Sequence, residues 1–311
     1  MDEEKKKYLG HLFNPDHRNS VLEESFSIAS EWLEQKDAEK MQSCWKLTKD
    51  LYTGCFPGYN ACNTEYHDFN HTCDVVNATI RMCDGANFAG KEFLSALQLD
   101  IIVAAMLHDA GYIQTVGDTV GTGAKYTKTH VSRGMAFTEQ NRERFELTDL
   151  QTKRICNIIA GTDLATDFDS IPFADEKENY AGKILATADL LGQMADRTYL
   201  EKLLFLYYEF TEAGFPGYET EFDMLRKTLG FYEMTKKRLY NTLENTAELA
   251  FIHFSSRYDV RENLYMESIE RQIAYLQTII ADDTVNFRKK LKRIDLEAVT
   301  RAHQQHKPVP V

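Results

Sequence analysis

Four histidines fall between positions 67 and 130 of this chain, and two aspartates join them in settings where a carboxylate needs a partner. His67 and His71 are four positions apart. If the segment from Tyr66 onward is helical, both imidazoles lie on one face, one turn apart, and can serve one centre. His108-Asp109 closes the apolar run from Leu99 to Leu107. A buried helix ending in an imidazole and a carboxylate either lets both emerge as a cap or supplies them with a partner, because burying them unpaired is costly. Asp189 stands among Ile184, Leu185, Ala186, Ala188, Leu190 and Leu191. A solvent-facing Asp is the bland alternative there, but a bound cation gives a better account of a carboxylate in such surroundings. His130 opens a further helical segment, and three roles stay open for it: ligand of a second ion, donor to a ligand, or surface residue.

His71, His108, Asp109 and Asp189 together offer two imidazoles and two carboxylates. That donor set suits one or two divalent ions: Mn²⁺, Fe²⁺, Zn²⁺, Ni²⁺ or, with waters, Mg²⁺. It lacks the thiolates of a closed structural zinc site. With water in the open positions, such an ion lowers the pKa of that water and provides a nucleophile at neutral pH.

The elements that must position these residues read as helices throughout. Amphipathic periodicity predicts helices around Val21 to Leu33, 38–52, from Tyr66 or Asp68 to Cys83 (ended by Asp84-Gly85), and 93–107, with Gly111 as a C-terminal cap. Further helices are predicted at 130–142, 147–160, 177–194, 197–212, 219–255, 260–281 and 284–304. Turn residues mark loops at 53–64, 112–126 and 214–217, and the tail from His306 to Val311 is expected to fray. No segment alternates with period two between hairpin turns, so the fold class expected is all-α.

Composition narrows the function classes. The 311 residues are 43% hydrophobic and 27% charged, ordinary for a globular protein with a sizeable core. The formal net charge of −12 repels nucleic acid. The one dense basic run, from Arg288 to Arg293, reads as the solvated face of a C-terminal helix. A small anionic substrate remains compatible, because bound cations reverse the local field. The six cysteines form no CxxC pair and read as reduced thiols. The charged stretch from Met1 to Lys7 leads into no signal-peptide core, and no apolar stretch approaches bilayer-spanning length. A soluble, cytoplasmic protein without a membrane partner is expected.

The order His71, His108-Asp109, Asp189 resembles the H…HD…D pattern of the HD-domain superfamily of metal-dependent phosphohydrolases. Within it, the chain is most similar to the catalytic domain of class I cyclic-nucleotide phosphodiesterases over roughly residues 50–250. Tyr66-His67-Asp68-Phe69-Asn70-His71 resembles their Y-H-N-x-x-H signature, Ala188-Asp189-Leu190 their third ligand segment, Glu209-Phe210 with Gly214 their E-F-x-x-x-G stretch, and Leu229-Gly230-Phe231 their Q-G-F segment. The resemblance implies a compact multi-helix phosphodiesterase-like domain over residues 1–255. Residues 256–311 then form a helical extension, packed on the same domain or in a homodimer interface. It also implies that His71, His108, Asp109 and Asp189 bind metal, that Asp109 bridges to a second ion, and that His67 is the general acid. The substrate implied is a small phosphate ester such as a cyclic nucleotide or related nucleotide. Two departures stand out. No further His follows within His108-Asp109-Ala110-Gly111-Tyr112, which leaves the second ion to His130. Leu229 occupies the place of the Gln that grips a purine, so the paired hydrogen bonds to the ring are missing. Asp163, in its Gly161-Thr162-Asp163 context, is a candidate for the substrate side. The rival readings are a di-iron oxygenase on the same fold and a non-catalytic signalling protein.

Overall fold

In the computed structural model, which describes residues 10–282 and 286–297, the periodicity is realised as twelve α-helices among the described residues. These are α1 (Arg18–Trp32), α2 (Gln35–Tyr52), α3 (Phe69–Phe88), α4 (Gln98–Leu107), α5 (His130–Asn141), α6 (Asp149–Ala160), α7 (Glu176–Ala195), α8 (Tyr199–Glu212), α9 (Glu221–Tyr240), α10 (Glu248–Tyr258), α11 (Leu264–Ala281) and α12 (Phe287–Lys290). No strand occurs among the described residues; an isolated bridge joins Tyr59 and Thr115. The protein is all-α.

Helix α3 forms the axis. It is buried on nearly every side from His71 to Ala86, and it packs against α10, α7, α1 and α4. All ten residues of α4 are buried, so neither helix has the solvent-facing stripe of an ordinary amphipathic helix. Helix α11 packs on α7 and α9.

Asp84-Gly85 does not end α3, which continues to Phe88. A Cβ on Gly85 would lie 1.9 Å from the carbonyl oxygen of Leu249, so the glycine is there to let α10 cross at backbone contact. Asp84 locks the same crossing. Its carboxylate accepts bonds from His253 Nδ1 (2.7 Å) and from Arg257 Nε (2.7 Å) and Nη2 (2.6 Å). Removing the carboxylate leaves His253 Nδ1 without its partner and Arg257 with Glu31 alone (2.9 Å), and Asp84→Ala should cost about 3 kcal/mol, the low end for a broken buried pair.

The network also sets an acid limit. Burial pushes His253 below its usual value despite the bond to Asp84. Burial would raise Asp84, but the bonds from Arg257 and His253 more than offset it and hold it below the usual carboxylate value. Both shifts have one sign: below about pH 6.5 the unfolded chain binds protons at His253 that the folded chain refuses, and Asp84 adds to this lower down. Stability is therefore fully present above that pH and falls on acidification. Because His71 and His108 are raised and act in the opposite sense, the effect is read as a difference: between about pH 7 and about pH 5 the Tm of the wild-type protein should fall relative to that of His253→Gln; parallel profiles in the two proteins would place the effect elsewhere.

Other boundaries differ from the periodicity for local reasons. The predicted helix 219–255 is two helices, because Glu244 and Asn245 take left-handed backbone (φ 49° and 55°) between α9 and α10. Helix α11 starts at Leu264, where the Asn263 side chain caps it. The segment 93–107 is a 3-10 turn followed by α4. Of the predicted helix 284–304, the described part is helical over Phe287–Lys290 and again at Leu296 and Glu297, with an irregular stretch between; residues 284–285, 298–304 and the tail 306–311 lie outside the described residues. In the basic run Lys289, Lys292 and Arg293 are exposed as expected, whereas Arg288 binds Glu221 on α9 and Lys290 binds Asp282. The 19-residue segment Leu94–Tyr112 does meet the length and apolarity of a membrane span, contrary to expectation, but 89% of it is buried inside the fold.

Candidate metal centre

Helix α4 delivers His108 at its C-terminal cap. The ring's Nδ1–H donates to the Ala105 carbonyl (2.8 Å), which turns Nε2 inward with a free lone pair. His71 occupies the first turn of α3, where its backbone N–H donates to the capping Asp68 carboxylate (2.8 Å). Asp109 follows His108 and leads into the 3-10 turn Ala110–Tyr112. That turn explains Gly111. It is no helix cap, for a Cβ there would sit 1.9 Å from the carbonyl oxygen of His130, so the glycine admits the first turn of α5 against the His-Asp pair.

Three buried residues converge. His71 and His108 Nε2 lie 3.2 Å apart, and each is 3.3 Å from Asp109 Oδ2. Donors held at about 2.1 Å from a single ion stand about 3.0–3.4 Å from one another in tetrahedral or octahedral geometry. The observed triangle has that size. Asp109 is 2% exposed, and its Oδ2 has no hydrogen-bond partner. A buried carboxylate oxygen without a donor is rare unless a cation belongs beside it. The residues present therefore fit a divalent metal ion.

The electrostatics agree. Burial alone would lower His71, but the carboxylates of Asp109 and Asp189 more than offset it and push its pKa up to about 10. Burial would likewise lower His108, yet Asp109 raises it. Asp109 is held well below the usual range by His108 and His71 despite its burial. Without an ion, the carboxylates draw a proton onto the imidazoles in its place.

Around the triangle stand the other candidates. Asp189 Oδ1 is 3.3 Å from His71 Nε2 and 3.9 Å from His108 Nε2, and Gln193 Nε2 steadies it at 3.4 Å. His130 Nδ1–H donates to the Thr127 carbonyl (2.8 Å), which leaves Nε2 3.7 Å from Asp109 Oδ1. Burial pushes His130 below its ordinary pKa.

His67 does not share a helix face with His71. Helix α3 begins at Phe69, and His67 lies in the preceding turn. Its ring is nevertheless close, with centroids 5.8 Å apart. Glu209 on α8 holds that turn: Oε1 accepts the N–H groups of Glu65 (3.1 Å), Tyr66 (2.8 Å) and His67 (3.3 Å), while Oε2 meets His67 Nδ1 at 2.5 Å. Tyr112 lies against both imidazoles, 4.4 Å from His67 and 4.6 Å from His130, whose own rings are 6.1 Å apart.

His67, His71, Asp109, Tyr112, His130 and Asp189 open onto a cavity of about 450 Å³. Asp163 lines it, but both its carboxylate oxygens are used within its own turn, by Ala165 N (2.8 Å) and Thr166 Oγ1 (2.7 Å). Leu229 does not line it; the residue packs on the hydrophobic core, and its neighbours Thr228 and Phe231 face the cavity instead. Sequence reasoning gave no role to Glu209, Tyr112 or Gln193. Glu209 carried a signal, a carboxylate inside the apolar stretch Leu203 to Phe210.

Comparison with known proteins adds one match. The model of the Npun_R2479-like family matches residues 118–249, a span that contains His130, Asp163, Asp189 and Glu209 but begins after His71, His108 and Asp109. No curated protein and no solved structure matches the chain. The chain is thus an all-helical protein with a buried His71, His108 and Asp109 cluster of the HD type, similar over residues 118–249 to the Npun_R2479-like family.

Proposed function

We propose that this protein is a metal-dependent phosphohydrolase acting on a small phosphate ester. The observation that carries the reading is the buried Asp109 Oδ2, without a hydrogen-bond partner and 3.3 Å from each of two inward-facing imidazole nitrogens, with His67 facing the same cavity. Asp189 completes the ligand set, 3.3 Å from His71. A divalent ion bound there supplies a Lewis acid and a water activated at neutral pH. The chain's own residues do the rest. Glu209 fixes the His67 ring by Nδ1, so that Nε2 is the nitrogen available to protonate the leaving oxygen. Tyr112 stacks on that ring and limits its rotation.

The test is turnover. Purified protein with Mn²⁺ and a panel of phosphate esters, cyclic AMP included, should release product visible by phosphorus NMR, and Asp109→Ala should not. Glu209→Gln should keep metal but lose about tenfold to a hundredfold in kcat, since it loosens the proton donor without removing it; full activity in that variant would leave the Glu209 contact a folding feature only.

A second reading is favoured by one contact. His130 Nε2 lies 3.7 Å from Asp109 Oδ1, the oxygen opposite the first cluster, which is where a second ion would bridge. Two irons there would suit an oxygenase. Co-purifying iron with O₂ uptake and no ester hydrolysis would select that reading.

A further inference from the structure

The cavity beside the cluster is larger than a phosphate requires, and most of it is hydrocarbon. Helices α8 and α9 and the turn between them line it with Leu203, Leu206, Phe210, Phe215, Met224 and Phe231. Its volume of about 450 Å³ lies in the range that encloses a small organic ligand.

Several polar side chains on the lining already spend their hydrogens within the fold. Thr127 Oγ1 donates to the Ala124 carbonyl (2.6 Å), Thr162 Oγ1 to that of Ile159 (2.8 Å), and Thr228 Oγ1 to that of Met224 (2.9 Å). The Gln193 amide reaches Asp189, and its oxygen accepts from Tyr66 Oη (2.9 Å). A base enclosed here would exchange its hydrogen bonds to water for few from protein, a net loss. An apolar group loses nothing and gains its burial. The cations on the lining are Lys128 and Lys227, over the rings of Phe215 (5.0 Å) and Tyr218 (4.3 Å), and on a chain of net charge −12 they draw an anion toward this opening.

We infer that the substrate is a phosphate ester of an apolar alcohol, with its phosphate at the cluster and its alkyl or aryl body against α8 and α9. This rests on the phosphohydrolase reading for the reaction but not for the binding. In the reaction, the oxygen of water bonds to phosphorus, the phosphorus–oxygen bond to the alcohol breaks, and the alcohol leaves with the proton from His67; one proton of the water stays on the phosphate and the other returns through solvent to His67, so the products are the alcohol and inorganic phosphate.

Binding and turnover are measured separately. Butyl-, hexyl- and octylphosphonate, which cannot be hydrolysed, are titrated into Mn²⁺-loaded protein, with adenosine monophosphate as comparison. Each added methylene should lower Kd by about twofold to fourfold, and octylphosphonate should bind more tightly than the nucleotide. Leu206→Asn should flatten that dependence while Mn²⁺ affinity is kept. The matching alkyl phosphates should show the same ranking in kcat/KM. A Kd independent of chain length, tighter binding of the nucleotide, or no phosphonate binding at all would overturn the inference. The chain-length dependence without hydrolysis of any ester would uphold the ligand class and refute the hydrolase reading.

Discussion

Asp109→Ala should lose its metal and at least about a thousandfold in turnover, because the Lewis-acid contribution it supports is several kcal/mol. Asp109 is the residue through which the site is organised. Its Oδ2 touches both imidazole nitrogens at 3.3 Å, and its Oδ1 faces His130. Alanine leaves His71 and His108 facing each other at 3.2 Å and removes the carboxylate that touches both, so that Asp189, 3.3 Å from His71 but 3.9 Å from His108, must hold an ion without it. The side chain makes no hydrogen bond through Oδ2, so the fold loses less than the site does. Circular dichroism should show an intact helical spectrum beside absent metal. A variant that keeps both metal and near-normal turnover would remove the cluster from the chemistry.

His67→Ala should separate binding from chemistry. The ring is outside the three-residue cluster, and its Nδ1 is taken by Glu209. Metal content should therefore stay at the wild-type level while kcat falls by about a hundredfold to ten-thousandfold, the usual worth of a positioned general acid. The loss should shrink for esters whose leaving group is a good one, such as a nitrophenol, because a stable anion needs no proton. If metal is lost instead, His67 is a ligand; if the loss is equal for all leaving groups, the ring acts by position alone.

The fold class and the cluster were legible in the sequence because each rests on a strong local pattern. Helical periodicity without strand alternation gave the all-α class, and the apolar run before His108-Asp109 marked a helix end that had to face something. What was not legible depended on neighbours distant in the chain. Asp84-Gly85 looks like a helix stop, and only the passage of α10 at 1.9 Å from a would-be Cβ explains why it is not. Gly111 looks like a cap for the same reason, and its true neighbour is the first turn of α5. The pairing of His67 with His71 assumed a helix that starts three residues too early; Asp68 caps it, and Glu209, far along the chain, holds His67 in place. Leu229 stands where the motif's Gln would in the sequence, whereas the helix phase of α9 turns Thr228 and Phe231 to the cavity.

The central claim, that His71, His108 and Asp109 form a metal centre, is tested most directly by titrating Mn²⁺ into chelator-stripped protein near neutral pH in buffers of different ionisation enthalpy. The carboxylates push His71 up to about 10, so the metal-free site carries a proton that an ion must displace. The account predicts saturable binding with release of about one proton per ion at this site, both absent in Asp109→Ala. No saturable binding, or binding that Asp109→Ala leaves unchanged, would contradict it.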